Sequence, residues 1–285
     1  MKQIQWYPGH MAKAMRMMEE NLNLCDAVVF VLDARAPAAS YNPRLTALVK
    51  DKPVLYFFNK GDLADGKAEE LISLVKRSGK AALLSSANAQ SSARSLLAAL
   101  QALGKEKAER LAQKGVKRPL RFLVAGIPNT GKSTLINLLS GGKKAQTGDK
   151  AGVTRAKQWV KCGAVELLDT PGTMPPAFEN QTLAMRLAYL GCVNDDILDL
   201  DDVALSLLSE LYEKYPQALK ERYGIEGGTP LEMLNKVCVR RGFLLGGNDF
   251  DYERAERAVI DDLRKGKLNR VCFDSAEDLR QAGLI

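Results

Sequence analysis

The chain alternates short runs of apolar residues with longer segments in which apolar and polar positions follow helical spacing. Short, nearly all-apolar runs are typical of buried strands, and apolar residues that recur three and four positions apart are typical of helices. The runs predict six strands: Ala27–Asp33, Pro53–Phe58, Ala81–Ser85, Arg121–Gly126, Gln158–Cys162 and Val165–Asp169. The segments between the first four predict three helices: Pro43–Lys50, Lys67–Arg77 and Ser91–Leu103. This alternation predicts an α/β fold with a doubly wound, mostly parallel sheet. Its last two strands are close in sequence, so we expect them to form an antiparallel edge hairpin.

The strand patterns end at Pro175 and Pro176. Five later segments have helical spacing and are separated by breakers such as Gly227 and Gly228. They are Gln181–Gly191, Asp201–Tyr215, Leu231–Arg241, Tyr252–Lys265 and Ser275–Ala282. We therefore predict two domains, an α/β domain over 1–175 and an all-α domain over 176–285.

The net charge also changes sign near the boundary between the two predicted domains. The net charge of +7 combines +13 over residues 1–172 with −6 over the remainder. Within the front half, residues 104–121 form a basic connector that is helical in part and also fits a solvated linker. A basic front half suits a nucleotide or nucleic acid, although excess lysine equally serves solubility.

Composition excludes several classes of protein. No apolar run approaches the ~20 residues of a membrane span, and the first residues lack the apolar stretch of a secretory signal. The five cysteines have neither metal-ligand nor redox-pair spacing, and His10 is the only histidine, so a zinc site is not expected. Coiled-coil heptads are also missing. We expect a cytoplasmic monomer without a membrane role.

Residues 126–133 carry the pattern G-x-x-x-x-G-K-S between a predicted strand and a helical stretch. This is the phosphate loop, whose backbone N–H groups and following helix surround phosphate oxygens. Lys132 is expected to reach the β- and γ-phosphates, and the Ser133 hydroxyl is expected to bind Mg²⁺. The predicted nucleotide contacts here are Asn129, Thr130, Gly131, Lys132, Ser133 and Thr134.

A second motif, D-T-P-G over 169–172, ends another apolar strand. An aspartate at that position is placed to hold Mg²⁺ through water, and the Gly172 N–H to contact the γ-phosphate. Thr154, in a polar stretch between the two motifs, is a candidate second Mg²⁺ ligand from a switch segment. These residues predict a nucleotide site with Mg²⁺ held by Ser133, Thr154 and Asp169.

Two further elements indicate which base is read. Residues 59–62 carry N-K-x-D after the second strand, and Ser85, Ser86 and Ala87 follow the third. A carboxylate at Asp62 accepts hydrogen bonds from N1–H and the 2-amino group of guanine, an arrangement that adenine does not offer. Asn59 helps to fix the base, the Lys60 stem covers its face, and the Ala87 N–H is expected to donate to guanine O6. Guanine, and hence GTP or GDP, is therefore the expected base; an ATPase is disfavoured.

The order of these motifs is unusual, because the guanine motifs precede the phosphate loop. With the N-terminal motif over residues 6–11, residues 158–161 and residues 219–224, this order resembles the circularly permuted GTPases of the YlqF/YawG family. The resemblance covers the whole chain. It implies a GTPase that assists late assembly of the large ribosomal subunit, with the helical domain contacting ribosomal RNA. Basic residues in that domain are candidates for the contact: Arg240, Arg241, Arg254, Arg257, Arg264, Lys265, Lys267 and Arg270.

The group that orients the attacking water is the least determined part of the site. Many GTPases place a glutamine directly after the D-x-x-G motif, but this chain has Thr173 and Met174 there. The permutation brings the start of the chain near the γ-phosphate, which makes His10 the candidate; a packing role at a helix start is the alternative. Asn129 resembles the asparagine of potassium-activated GTPases, which implies a K⁺ site, while a turn residue chosen for its backbone is the alternative.

Two other functions stay open from the sequence. The missing glutamine also fits a nucleotide-gated binding module that hardly turns over. The other alternative is a GTPase that serves RNA modification or membrane events. For the membrane role the sequence offers no anchor.

Overall fold

The structure, a computed structural model, describes residues 9–49, 52–142, 158–175, 180–247 and 249–285. Thr154 lies outside these residues, as do residues 6–8 of the N-terminal motif, and for His10 only the backbone is described. The strands are β1 (Ala27–Asp33), β2 (Val54–Asn59), β3 (Ala81–Leu84), β4 (Leu120–Ala125), β5 (Gln158–Cys162) and β6 (Val165–Asp169). Helices of the α/β part are α1 (Gly9–Leu22), α2 (Pro43–Val49), α3 (Gly66–Arg77), α4 (Ser92–Leu103), α5 (Lys105–Gln113) and α6 (Lys132–Ser140). Those that follow are α7 (Gln181–Tyr189), α8 (Leu200–Lys214), α9 (Pro216–Tyr223), α10 (Pro230–Arg241), α11 (Tyr252–Arg264) and α12 (Ala276–Gln281).

The described strands form one sheet in the order β3-β2-β1-β4-β6-β5. Five strands are parallel, and β5 pairs antiparallel with β6 as the predicted edge hairpin. The chain runs outward from β1 through β2 to β3 and then returns to β4 on the other side of β1. Ligands bind at such a change of direction, beyond the carboxyl ends of the strands. The phosphate loop follows β4 at this point, so the sheet topology places the site.

Side chains of the central strand β1 alternate between two cores. Val28, Phe30 and Leu32 belong to the cluster on one face of the sheet, and Val29 and Val31 to the cluster on the other. Helices cover both faces, so every residue of β1 is buried. This explains why the strand reads as a continuous apolar run instead of an alternating one.

The helical region packs on the same side as the phosphate loop. Apolar side chains of α7, α8, α10 and α11 share one buried cluster with Met11 of α1, Ile127 of the phosphate loop and Met174. The start of α1, where His10 lies, is thereby placed in the same core as the phosphate loop.

The last fifteen residues return to the α/β part. Leu279 and Leu284 belong to the core beside α3. The Phe273 N–H donates to the Arg35 carbonyl at 2.8 Å, and Asp274 accepts from the Ala38 N–H at 2.6 Å. The division of the chain at residue 175 stays a prediction, and these contacts join the two proposed domains at a second place.

The basic connector is partly helical, as expected. Helix α5 buries none of its residues, which agrees with a solvated segment. The connector is nevertheless anchored, because Arg118 forms two hydrogen bonds of 2.7 and 2.8 Å with the Asp26 carboxylate just before β1.

Candidate functional site

The phosphate loop connects buried strand β4 to helix α6 through two glycines that the geometry requires. Gly126 has φ +149°, and a Cβ there would lie 2.5 Å from the Val31 carbonyl oxygen. Gly131 has φ +96°, and a Cβ there would clash with the side-chain nitrogen of Asn59. Only glycine tolerates both conformation and crowding. The loop therefore passes directly between β1 and the N-K-x-D segment.

Lys132 points into this loop. Its side chain is buried, and Nζ donates to the Ile127 carbonyl at 2.7 Å. Burial lowers the pKa of Lys132 to about 8, although Asp169 acts in the opposite direction. A buried ammonium with a neutral acceptor is electrostatically unsatisfied, so phosphate is a ligand that this position favours.

The residues predicted to hold Mg²⁺ lie together. The Ser133 hydroxyl donates to Asp169 Oδ2 at 3.2 Å. Oδ1 of Asp169 is buried and has no hydrogen-bond partner among the described residues, and burial raises the pKa of this carboxyl. A hydroxyl beside an unsatisfied carboxylate oxygen is a donor set that suits Mg²⁺, which prefers oxygen ligands.

The D-T-P-G segment is held against the phosphate loop. Thr170 Oγ1 donates to the Val124 carbonyl at 2.6 Å, and the Thr173 N–H donates to the Gly126 carbonyl at 3.2 Å. At Gly172 an added Cβ would lie 2.7 Å from the backbone nitrogen of Pro128. The two phosphate-binding motifs are thus in backbone contact.

Asn59 joins three motifs that are far apart in the sequence. Its amide nitrogen donates to the Thr130 carbonyl at 2.8 Å, and its Oδ1 accepts from the Ala87 N–H at 2.8 Å. Asn59 therefore braces the base-reading segment against the phosphate loop. Donation by Ala87 to guanine O6 stays a prediction, and it requires this N–H to leave Asn59.

The other residues predicted to read the base lie beside this bridge. Asp62 is exposed in a short 3-10 helix, Gly61–Leu63, whose first N–H donates to the Ser85 carbonyl at 3.0 Å. Ser86 is buried, and its hydroxyl accepts from the Asn88 N–H at 3.4 Å. Thr134 lies half-buried in the first turn of α6.

Lys60 has a partner that the sequence did not reveal. Its Nζ donates to the Asn129 carbonyl at 2.9 Å and pairs with Asp33 Oδ2 at 2.8 Å. Asp33, at the end of β1, also pairs with the fully buried Arg35 at 2.8 Å. Burial alone would raise the pKa of Asp33, but Arg35 and Lys60 outweigh it and hold that pKa far below its usual range. The sequence did contain one sign of this ion-pair network: an aspartate and an arginine lie two positions apart at the end of a buried strand.

Asn129 connects the phosphate loop to the helical region. It adopts φ +59°, and its side-chain nitrogen donates to the Gly191 carbonyl at 2.6 Å. Gly191 follows α7, and the last turn of that helix is held by Arg264, which donates to the Tyr189 carbonyl and pairs with Asp195. Arg264 is thus committed to a structural contact and is less available for RNA than expected.

The positions after the D-x-x-G motif are closed to solvent. Thr173 and Met174 are both buried, and the Thr173 hydroxyl has no hydrogen-bond partner among the described residues. His10 is the second residue of α1, but its side chain lies outside the described part. The assignment of His10 to catalysis stays a prediction.

These features define the class of protein: a P-loop GTPase whose motifs occur in circularly permuted order. Residues 121–226 match a family model described as a 50S ribosome-binding GTPase. The chain is 42% identical over 280 residues to ribosome biogenesis GTPase A of Bacillus cereus, covering 96% of this chain and 95% of the relative. It is 31% identical to the protein of the same name from Thermotoga maritima, covering 97% and 96%. The chain belongs to the ribosome biogenesis GTPase A family.

Solved structures agree with this assignment. A GNP-bound structure of YlqF from T. maritima superposes with a TM-score of 0.65 at 27% identity, covering 93% of this chain and 99% of that one. Among the described residues, no helix is long and apolar enough to span a membrane.

Proposed function

We propose that this chain hydrolyses GTP during late assembly of the large ribosomal subunit. The ribosomal role rests on one observation, the near end-to-end similarity to relatives named for ribosome biogenesis. The geometry that supports the nucleotide chemistry is the bridge made by Asn59 between the phosphate loop and the base-reading segments.

The roles of the individual residues follow from their positions. Ser133 and Asp169 would hold Mg²⁺, and Lys132 would pair with the β- and γ-phosphates. When bound, Mg²⁺ neutralises charge on the phosphate oxygens. The Gly172 N–H would contact the γ-phosphate, and Thr154, outside the described residues, would be the second hydroxyl ligand. Asp62 would read the guanine edge.

K⁺ dependence and water orientation are the finer parts of the proposal. A monovalent cation held at Asn129 would neutralise charge between the phosphates, which favours a K⁺-dependent rate. His10 would orient the attacking water, because Thr173 and Met174 are buried and too short or too apolar for that task. The rate would be slow for the isolated protein and faster with the ribosomal partner.

We further propose that the helical region contacts ribosomal RNA and that the chain acts as a cytoplasmic monomer. Arg254 and Arg241 lie over the Phe243 ring at 4.6 and 5.8 Å and are candidates for this contact. A stacked arginine keeps donors for phosphate while its plane is held by the ring.

The test is phosphate release by the full-length protein in K⁺ and in Na⁺ buffer, with and without purified large ribosomal subunits. Transfer RNA serves as the RNA control, and Ser133→Ala serves as a variant that lacks a Mg²⁺ ligand. We expect stimulation by subunits in K⁺ and none by tRNA. Equal rates with and without subunits would contradict the ribosomal role, and equal rates in the two salts would contradict the role of Asn129.

One observation favours a second function. The Thr173 hydroxyl is buried and has no partner in the part of the chain that the structure describes, and neither Thr173 nor Met174 is placed to orient water. A nucleotide-gated RNA-binding switch with negligible turnover would show GTP-dependent binding to large subunits but no multiple-turnover phosphate release. Multiple-turnover phosphate release therefore separates the two functions, and His10→Ala tests only whether His10 serves the reaction.

A further inference from the structure

An acidic groove lies in the helical region, and none of the predicted nucleotide-site residues lines it. It runs between the chain segment before α8 and the first turns of α11, with a volume of about 430 Å³. Its carboxylates are Asp195, Asp196, Asp199, Asp201, Glu253 and Glu256, and Arg257 is the cation that lines it. We call the groove that these residues line the acidic groove.

Few of these charges are neutralised inside the protein. Asp195 pairs with Arg264 at 2.7 Å, and Glu253 pairs with Arg257 at 3.2 Å across an exposed helix surface. Among the described residues, Asp196, Asp199, Asp201 and Glu256 form no ion pair. The groove therefore carries several uncompensated negative charges within one small volume.

Glu256 is the observation that points to a ligand. Its side chain lines the groove, the residue is only 8% exposed, and no described residue gives it a hydrogen bond or an ion pair. Burial, followed by the charges of Asp201 and Asp199, raises its pKa to about 7. Burying a carboxylate without a partner is costly, and a cation from outside would remove that cost.

The shape of the groove indicates the kind of cation. Among the described residues, no three carboxylates cluster closely enough to hold a metal ion. The carboxylates instead share the lining of the groove with the apolar side chains of Leu198 and Leu200. Several spaced cations on one chain, with short apolar contacts between them, match this pattern better than a single ion.

We propose that the acidic groove binds an extended lysine- and arginine-rich segment of a partner protein. The negative charges of the groove repel RNA. The partner protein would therefore bind at a different face of the helical region from RNA.

The test uses the full-length protein and a fluorescein-labelled decapeptide of alternating lysine and alanine, followed by anisotropy at low salt. A decapeptide of alternating glutamate and alanine controls for charge. Glu256→Gln and the double variant Asp199→Asn/Asp201→Asn remove charge from the groove. Glu70→Gln removes the same charge as Glu256→Gln from the exposed face of α3, away from the groove. Thermal unfolding and GTP hydrolysis confirm that each variant is folded.

We expect saturable binding of the basic peptide, weakened about fivefold or more by each groove variant and changed less than about twofold by Glu70→Gln. Absence of saturable binding, or an equal loss in the Glu70 control, would overturn the proposal. A labelled single-stranded RNA should bind the groove variants at least as tightly as the wild type. If RNA binding falls together with peptide binding, the groove is not a site for a basic protein segment.

Discussion

The side-chain nitrogen of Asn129, in the phosphate loop, lies 2.6 Å from the backbone carbonyl of Gly191, at the end of α7. This hydrogen bond joins the nucleotide site to the helical region through residues 62 positions apart. The last turn of α7 is held by Arg264 of α11, which donates to the Tyr189 and Ala188 carbonyls. The phosphate loop is therefore bonded directly to the end of α7.

The Asn129 contact is tested by comparing Asn129→Gly with Asn129→Ala. Both variants lose the bond to Gly191, at a cost of about 1 kcal/mol in the free energy of unfolding. Alanine should cost about 1 kcal/mol more, because φ is +59° at this position and glycine adopts it freely. Chemical unfolding of the nucleotide-free protein measures both. Identical stability of the two variants would show that the backbone at residue 129 relaxes.

Asp33→Asn tests the network behind Lys60. The change leaves Arg35 buried without its anion and frees Lys60 from the end of β1. We expect a loss of about 3 kcal/mol or more in unfolding free energy, together with weaker GDP binding. The double variant Asp33→Asn/Arg35→Met should recover part of the stability but not the affinity, because Lys60 still lacks its partner. Full recovery of GDP affinity in the double variant would contradict the positioning role of Asp33.

The pH dependence of Asp33 has a defined sign. Its pKa in the folded protein is held below the usual range by Arg35 and Lys60 in spite of burial. The resulting stability is present above the pKa of an unfolded aspartate and is lost as the pH falls below it. The wild type should therefore lose stability in acid more steeply than the double variant.

Gly172→Ala tests the contact between the two phosphate-binding motifs. The new Cβ would meet the Pro128 backbone at 2.7 Å, so one of the two segments has to move. We expect GTP hydrolysis to fall at least about tenfold because the γ-phosphate contact is displaced. Gly142→Ala is the matched control, since a Cβ there meets nothing within 4 Å. Phosphate release under single-turnover conditions measures both, and similar rates would exclude a close-packing role for Gly172.

Glu256 makes stability depend on pH near neutrality. Its pKa rises from 4.5 to about 7 on folding, so the folded protein binds the proton more tightly than the unfolded chain. The stability associated with this group is present in acid and falls as the pH rises between these two values. In Glu256→Gln this component is removed, so the difference in melting temperature between variant and wild type should grow from pH 5 to pH 8. A constant difference would show that Glu256 is charged throughout this range.

The predicted strands agree with the structure to within one residue at each end. Local patterns suffice there, because every strand of the interior is buried on both faces and stands out as an apolar run. Helix α9 was not among the predicted helices. It begins at Pro216, directly after the predicted segment Asp201–Tyr215, and proline is favoured at the first position of a helix.

The sequence by itself determined the chemistry of the site. The phosphate loop, Asp169, Gly172 and the N-K-x-D segment are contiguous motifs whose spacing specifies GTP, whatever the order in which they occur. The tertiary structure alone decided how they are held: Asn59 bridging two loops, Asp33 positioning Lys60, and Asn129 reaching Gly191. These contacts join residues far apart in the chain, and hydrogen bonds between such residues leave no periodic or local pattern. The sequence did not reveal the acidic groove for the same reason, because the groove forms only where α11 packs beside the segment that precedes α8.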